Sequence, residues 1–266
     1  MSDNDVLIEI HRDQMYNLLQ RNEREDGRAF DEHREISIET GILERAEGSA
    51  LVKLGDSMVA VGVKMQPGEP FPDTPDSGVI ITNAELIPLA SPTFESGPPG
   101  EEAVELARVV DRGVRESKAI DLKKLCLVEG EKVWLVFIDI HILDHDGNLL
   151  DAASLGAIAA LLTTTIPNKH YGIAEEDEPL PVVDIPVAVT MVEFEGNILV
   201  DPTYIEETVA STRLTVISNK DGALSGMQKI GGGPLKPELL AKAVKMGIDR
   251  GKEIRKKYLE PLVHTS

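Results

Sequence analysis

The sequence contains one cysteine, Cys126, so no internal disulfide and no all-cysteine metal site can form. Aromatic residues make up 4% of the 266 positions, too few for a long base-stacking surface built from this chain alone. No run approaches the roughly 18 uncharged apolar residues that a membrane-spanning helix needs, so no membrane role is expected. The opening Met1-Ser2-Asp3-Asn4-Asp5 lacks the basic start and apolar run of a signal peptide, which makes the cytoplasm the expected location. Basic residues are missing from two long stretches. Pro67 to Glu102 holds seven acids and no Lys or Arg, and Tyr171 to Thr212 holds ten acids and no Lys or Arg.

What is present is an ordinary globular balance, with 42% hydrophobic and 27% charged residues and a net charge of −19. Such a chain repels nucleic acid and acidic membranes over most of its surface. The bases it has are concentrated. Residues 108–124 carry six bases against three acids, and residues 236–258 carry eight against three, so 14 of 27 bases lie in 40 positions. Local field follows local charge, so a basic patch can survive on an acidic protein. For 236–258 a solvated helix face is the better reading; for 108–124 the spacing argues for more.

Periodicity predicts an α+β chain. Glu9–Gln20 reads as a helix, and strands follow at Ile36–Thr40, Ser49–Leu54 and Met58–Met65, the last two joined by Gly55-Asp56-Ser57 as an antiparallel hairpin. Val79–Ile87 reads as a strand inside a proline-rich stretch. Glu101–Lys118 reads as an amphipathic helix, with Ala103, Leu106, Ala107, Val110 and Val114 on one stripe. Leu122–Val128 and Lys132–Ile142 are expected strands, and Leu149–Thr165 a small-residue helix. An acidic, proline-containing linker, Glu175–Pro181, separates these from strands Val187–Glu193, Ile198–Val200, Thr212–Ser218 and Ala223–Lys229, then a last helix Pro237–Tyr258. Two related lobes are expected, 1–180 and 181–266.

The strongest candidate site is arginine. Arg108, Arg112 and Arg115 lie at i, i+4 and i+7, within about 60° of one another on a helix face and away from the apolar stripe. Asp111 and Glu116 are near but off that ridge, so they do not neutralise all three. Three guanidinium forks in a row suit successive backbone phosphates; a solvated face laced with salt bridges is the competing reading. Other candidates are weaker. Asp139, His141, Asp144, His145 and Asp146 suggest a metal cluster, but strand alternation scatters them and the twelfth position of a calcium loop would be Leu155. A structural turn is preferred. Gly231-Gly232-Gly233-Pro234 lacks the Lys-Ser/Thr of a phosphate loop and reads as a connector. Cys126 is expected to be buried in a strand. Glu206-Glu207 is expected in a strand–turn context, with little claim to be a catalytic pair.

Several segments resemble RNase PH-like proteins. They are Asn22-Glu23-Arg24-Glu25-Asp26-Gly27-Arg28 with Glu32-His33-Arg34-Glu35-Ile36, the Ser49–Met65 hairpin, Arg108 to Ser117, and Asp144 to Ser154. The resemblance runs from about residue 20 to 260 and is nearest to the non-catalytic RNase PH-like subunits of the archaeal exosome. It implies an α+β fold of two RNase PH-type lobes of antiparallel and mixed sheet packed on helices. It also implies a hexameric ring, a trimer of heterodimers with a catalytic RNase PH-like exosome subunit. RNA-binding cap subunits and single-stranded RNA are implied as further partners, and DNA is not. The ring would degrade RNA from the 3′ end by phosphorolysis.

The departures from the family pattern bear on the chemistry. Active relatives present Asp-Gly-Gly-Thr-Arg before a helix to hold phosphate. Here the stretch is Asp146-Gly147-Asn148-Leu149-Leu150, with Leu150 at the arginine position. Active relatives also carry Glu-Asp and then Asp-x-Asp. Here Ser211 and Arg213 stand at the two later carboxylate positions. Neither does a carboxylate's acid–base or metal work. The resemblance therefore implies no catalytic residue, no cofactor and no metal in this chain. It implies an RNA-binding role for Arg112, Arg115 and Arg108, completing an interface site on the partner. A self-sufficient phosphorolytic enzyme and a scaffold without RNA contact are the alternatives.

Overall fold

The computed structural model describes residues 3–264. A helix α1 (Asp3–Leu19) leads into strands β1 (Ile36–Thr40), β2 (Gly48–Leu54), β3 (Ser57–Gly68) and β4 (Val79–Leu86), then helix α2 (Glu101–Glu116). Next come β5 (Cys126–Val128), β6 (Lys132–Asp144), helix α3 (Leu149–Leu162), and the short strands β7 (Thr165–Ile166) and β8 (Glu178–Pro179). The chain ends with β9 (Val187–Phe194), β10 (Asn197–Val200), helix α4 (Tyr204–Val209), β11 (Thr212–Ser218), β12 (Leu224–Ile230) and helix α5 (Pro237–Ile254). Among the described residues no helix is long and apolar enough to cross a membrane.

The first sheet has the order β1-β2-β3-β6-β4, with β5 on β6; the second has the order β10-β9-β11-β12. Pairing is antiparallel except for β4, which runs parallel to β6. The sheet is thus mixed, as expected, because β4 reaches β6 only after the crossover through α2 and β5. Side-chain alternation follows the pleat. Val59, Val61, Val63 and Met65 of β3, and Val136, Ile138, Ile140 and Ile142 of β6, are buried, while Lys64, Asp139 and His141 face outward. β6 therefore buries one face, not both.

α3 lies between the two sheets. Its alanines and leucines are buried nearly all round, and Gly156 sits so close to β3 that a Cβ would come within 2.7 Å of Val61. α5 covers the second sheet through Gly247 and Gly251, against Val216 and Ser218. A single hydrophobic core runs from Val52 and Ile140 in the first sheet through α3 to Val189 and Val216 in the second.

Several element boundaries differ from the sequence reading. α1 begins at Asp3 rather than Glu9, although among its described side chains only Met15 and Leu19 are buried. Leu122–Leu125 is a short 3-10 turn before β5. Part of the expected linker is paired: β8 bonds to β7, and Asp177 accepts from the Lys169 amide at 2.8 Å. Its prolines leave carbonyls free for pairing. Glu206 and Glu207 are helical, not strand–turn. Thr203 and Glu206 form a capping box, a Thr-x-x-Glu signal present in the sequence.

A buried ionic network joins the chain's N-terminal segment to α3 and to the end of β10. Asp201 is fully buried and accepts from Arg34 Nη2 at 2.8 Å, Arg34 Nε at 3.0 Å, Arg28 Nη1 at 3.1 Å and Asn148 Nδ2 at 2.7 Å. Burial pushes Asp201 up, but the Arg34 hydrogen bonds and charge outweigh it and hold the carboxyl at about 2. Arg24, equally buried, forks onto Glu206 at 2.9 and 2.6 Å and donates to the Val200 and Asp201 carbonyls. Asp151 lies one hydrogen bond away, shares Asn148 with Asp201, and accepts from Thr190 N and Oγ1 at 2.8 and 2.7 Å. Burial dominates over these bonds and pushes Asp151 up to about 7.

Removing Asp201 leaves the buried Arg34 without its main partner and takes one of two carboxylates from Arg28, so Asp201→Ala is expected to cost about 3–5 kcal/mol in urea unfolding. Asp151 works in the opposite sense. Its raised pKa favours the folded state below its unfolded value of 3.8, and this contribution is lost as pH rises through about 7. Asp151→Asn keeps the acceptor toward Thr190. The difference in stability between wild type and variant should therefore fall with pH between about 4 and 7, with a slope approaching one proton. A pH-independent difference would contradict this assignment.

Candidate nucleic-acid interface

α2 is positioned by its apolar stripe. Ala103, Leu106, Ala107, Val110 and Val114 are buried with Val109 and Gly113, and the helix lies against β4 and α3. The opposite face carries Arg108, Arg112 and Arg115, all exposed. Arg115 forks onto Asp111 through Nε and Nη2, both at 3.1 Å, and Nη2 also donates to the Ile80 carbonyl at 3.1 Å. Arg108 Nη2 lies 3.6 Å from Glu105. Among the described residues Arg112 has no ion-pair partner. Asp111 thus reaches Arg115, which the sequence reading placed off its ridge. Surface pairs of this kind are worth about 0–1 kcal/mol, so an incoming phosphate competes with them easily. The helix is also divided along its length, with Glu101, Glu102 and Glu105 at the N-terminal end and the arginines toward the C-terminal end. Glu101 and Glu102 in the first turn and Arg115 in the last sit where the helix dipole favours them.

Beside α2, α3 and α4 enclose a cavity of about 310 Å³. Its walls include Leu149, Leu150, Glu207 and Arg213, with the rings of Phe94, His145 and Tyr204. Phe94 stacks on His145 at a centroid distance of 5.4 Å, and Tyr204 meets His145 edge-on at 5.2 Å. The His145 Nδ1 accepts from the Gly147 amide at 3.2 Å, which leaves the proton on Nε2. Burial lowers the His145 pKa, ahead of the opposing field of Glu207, Glu102 and Asp146, so the ring is neutral at pH 7. Gly147 has φ +84°, and a Cβ there would lie 2.4 Å from the backbone carbon of Thr203, so no other residue fits between the turn and α4.

The residues at the phosphate and carboxylate positions of the family pattern have other contacts. Leu150 is packed against apolar residues of the core. Arg213 Nη1 donates to Glu207 Oε1 at 3.0 Å, and the Asn148 amide donates to the same oxygen at 3.2 Å. Ser211 Oγ donates to Glu193 at 2.7 Å. Glu206 is turned inward to Arg24, so Glu206 and Glu207 do not face one space.

The remaining candidates disperse. Asp139 accepts from Asn83, His141 lies 3.3 Å from Glu85, Asp144 accepts from the His145 amide, and Asp146 pairs with Arg34 at 3.1 Å. Among the described residues no group of three or more His, Cys, Asp or Glu is arranged to hold a metal ion. Gly231 and Gly233 press against Ser211 and Thr212, so the expected connector is a packed one. Cys126 is half-buried rather than buried, because β5 caps the sheet's edge. Sequence spacing did not bring together Phe94, His145 and Tyr204, which come from three separate segments, and no local signal marks them.

Comparisons with known proteins agree with this geometry. The profile of the 3′ exoribonuclease family, RNase PH, matches residues 32–167 with its domain 1 and residues 184–250 with its domain 2. The chain is 62% identical over 253 residues to the exosome complex component Rrp42 of Methanocella arvoryzae, covering 95% of this chain and 97% of that protein. It is 56% identical over 256 residues to that of Archaeoglobus fulgidus, covering 96% and 98%. Among solved structures it is similar to a chain of the Archaeoglobus fulgidus exosome with RNA bound to the active site, with a TM-score of 0.92, 55% identity and coverage of 95% and 99%. It is also similar to a chain of an archaeal exosome core, with a TM-score of 0.89, 51% identity and coverage of 96% and 99%. Two RNase PH sheets around a shared helix, matched along nearly the whole chain, show that this protein belongs to the RNase PH family of 3′ exoribonucleases, together with the archaeal exosome Rrp42 proteins.

Proposed function

We propose that this chain is a non-catalytic ring subunit of an exosome, where it binds single-stranded RNA and completes the active site of a catalytic RNase PH-like partner. The observation that carries the reading is the pocket beside α2. In phosphorolysis an oxygen of inorganic phosphate attacks the terminal phosphodiester phosphorus, the P–O3′ bond breaks, and a nucleoside diphosphate leaves. That step needs an anion cradle and carboxylates free to handle protons. Here Leu150 offers no positive charge, Arg213 is neutralised by Glu207, and Ser211 supplies a hydroxyl where a carboxylate belongs.

The arginine ridge remains usable. Arg112 is unpaired among the described residues, and the pairs of Arg108 and Arg115 are exposed. A chain of net charge −19 still serves an RNA machine when it supplies a local clamp and a partner supplies more of the basic surface. The same reading gives a trimer of heterodimers, RNA-binding cap subunits and a cytoplasmic location. It also divides the chain into lobes 1–180 and 181–266, a division supported by the change of sheet between β8 and β9.

The chain incubated alone with single-stranded RNA and phosphate should release no nucleoside diphosphate, and mixing with the catalytic partner should give activity that neither has alone. In the mixed ring Arg112→Ala with Arg115→Ala should weaken RNA binding and reduce the salt slope by about one unit per lost phosphate contact. Phosphate-dependent RNA shortening by the lone chain would refute the non-catalytic role. Unchanged RNA binding by the double variant would leave a scaffold without RNA contact.

A further inference from the structure

Three of the six bases in residues 108–124 lie outside the arginine ridge: Lys118, Lys123 and Lys124, all exposed. Lys118 directly follows the last turn of α2, and its amide donates to the Arg115 carbonyl at 3.0 Å. Its φ is +54°, a left-handed conformation that Gly or Asn adopts at less cost. Among the described residues its side chain has no ion-pair partner, and Arg115 already serves the negative end of the helix. A lysine kept in a costly conformation without a partner points to a role outside the chain. Lys123 and Lys124 follow in the 3-10 turn Leu122–Leu125. Lys123 lies 3.1 Å from Asp76 and Lys124 4.0 Å from Asp121, in pairs open to solvent.

Principles of chain geometry and three contacts tie this turn to the ridge. Arg115 Nη2 donates to the Ile80 carbonyl at the start of β4. Two residues back, the Gly78 amide donates to the Leu122 carbonyl at 2.8 Å, and two further back Asp76 meets Lys123. Ile80 and Asp76 are four residues apart, so at most about 14 Å separates their Cα atoms. The bases stop at the β5–β6 turn, where Glu129 and Glu131 flank Gly130 and its amide donates to the Pro75 carbonyl at 2.9 Å.

We propose that Lys118, Lys123 and Lys124 extend the arginine ridge into one track for the backbone of single-stranded RNA, a proposal that rests on the RNA-binding reading of that ridge. Over 108–124 six bases stand against three acids, so the local field is positive. Of those acids, Asp111 and Asp121 sit in exposed pairs that a phosphate displaces at little cost, and Glu116 has no cation among the described residues. The residue types select phosphates over bases. Lysine is a flexible point charge, and no aromatic residue in 108–124 offers a stacking face.

The test titrates the ring assembled with the catalytic partner with single-stranded RNA in phosphate-free buffer, so that binding is read without phosphorolysis. The triple variant Lys118→Gln, Lys123→Gln and Lys124→Gln should bind about tenfold or more weaker at low salt. Its salt slope should fall by about 0.7 unit per lost contact, about two units in all. Lys242→Gln with Lys245→Gln, exposed on α5, should change neither. Lys118→Gly removes the backbone strain, so it should keep its stability in urea while RNA affinity falls. Unchanged binding by the triple variant would overturn the proposal. If Arg112→Ala with Arg115→Ala weakens binding in that same assay, the ridge reading survives; if it too is unchanged, both fail. Equal loss in the α5 variant would overturn the track in favour of a diffuse field. Failure of the triple variant to assemble, read by native mass measurement, would overturn it as well and assign the patch to a protein contact.

Discussion

The Asp201 carboxylate, shut away from solvent, takes hydrogen bonds from Arg34, Arg28 and Asn148. Those three residues come from the segment before β1 and from the first residues of α3, while Asp201 itself ends β10. One charge therefore fixes where the two sheets and the intervening helix meet. Arg34 also donates to Asp146 and its carbonyl, which sets the turn that carries His145. Arg24 fixes the inner side of α4 through Glu206. The turn that carries His145 and the helix that carries Tyr204 are held from behind by this network. Buried pairs of this sort add little net stability over an apolar core, yet removing one partner is costly, so the network acts chiefly to specify one arrangement.

Leu150 packs against the core, and Arg213 pairs with a carboxylate within the pocket. Neither leaves an uncompensated buried charge. α2 is unaffected, because its position depends on an apolar stripe and not on the pocket. Its first turn carries Glu101 and Glu102, and its exposed outer face carries the three arginines, interleaved with Asp111.

Most elements were legible locally. The alternation in β3 and β6, the stripe of α2 and the small-residue surface of α3 are repeats that any window of sequence displays. The misreadings have physical causes. α4 was missed because its single turn and a half is too short for periodicity, although its Thr203–Glu206 capping box was present. The direction in which β4 pairs was left open, because it depends on a long crossover that no local window contains.

By itself the sequence determined the arginine ridge, since three residues on one helix need only the 3.6-residue repeat to share a face. It also pointed, through its resemblance to a known family, to the fold of two RNase PH-type lobes. Only the tertiary structure decided that Arg112 stands without an ion pair among the described residues while Arg115 leans on Asp111. It alone brought Phe94, His145 and Tyr204 around one pocket. Those groups are far apart along the chain or lie in irregular loops. Their meeting is set by the packing of sheets and the buried charges between them, which no local pattern encodes.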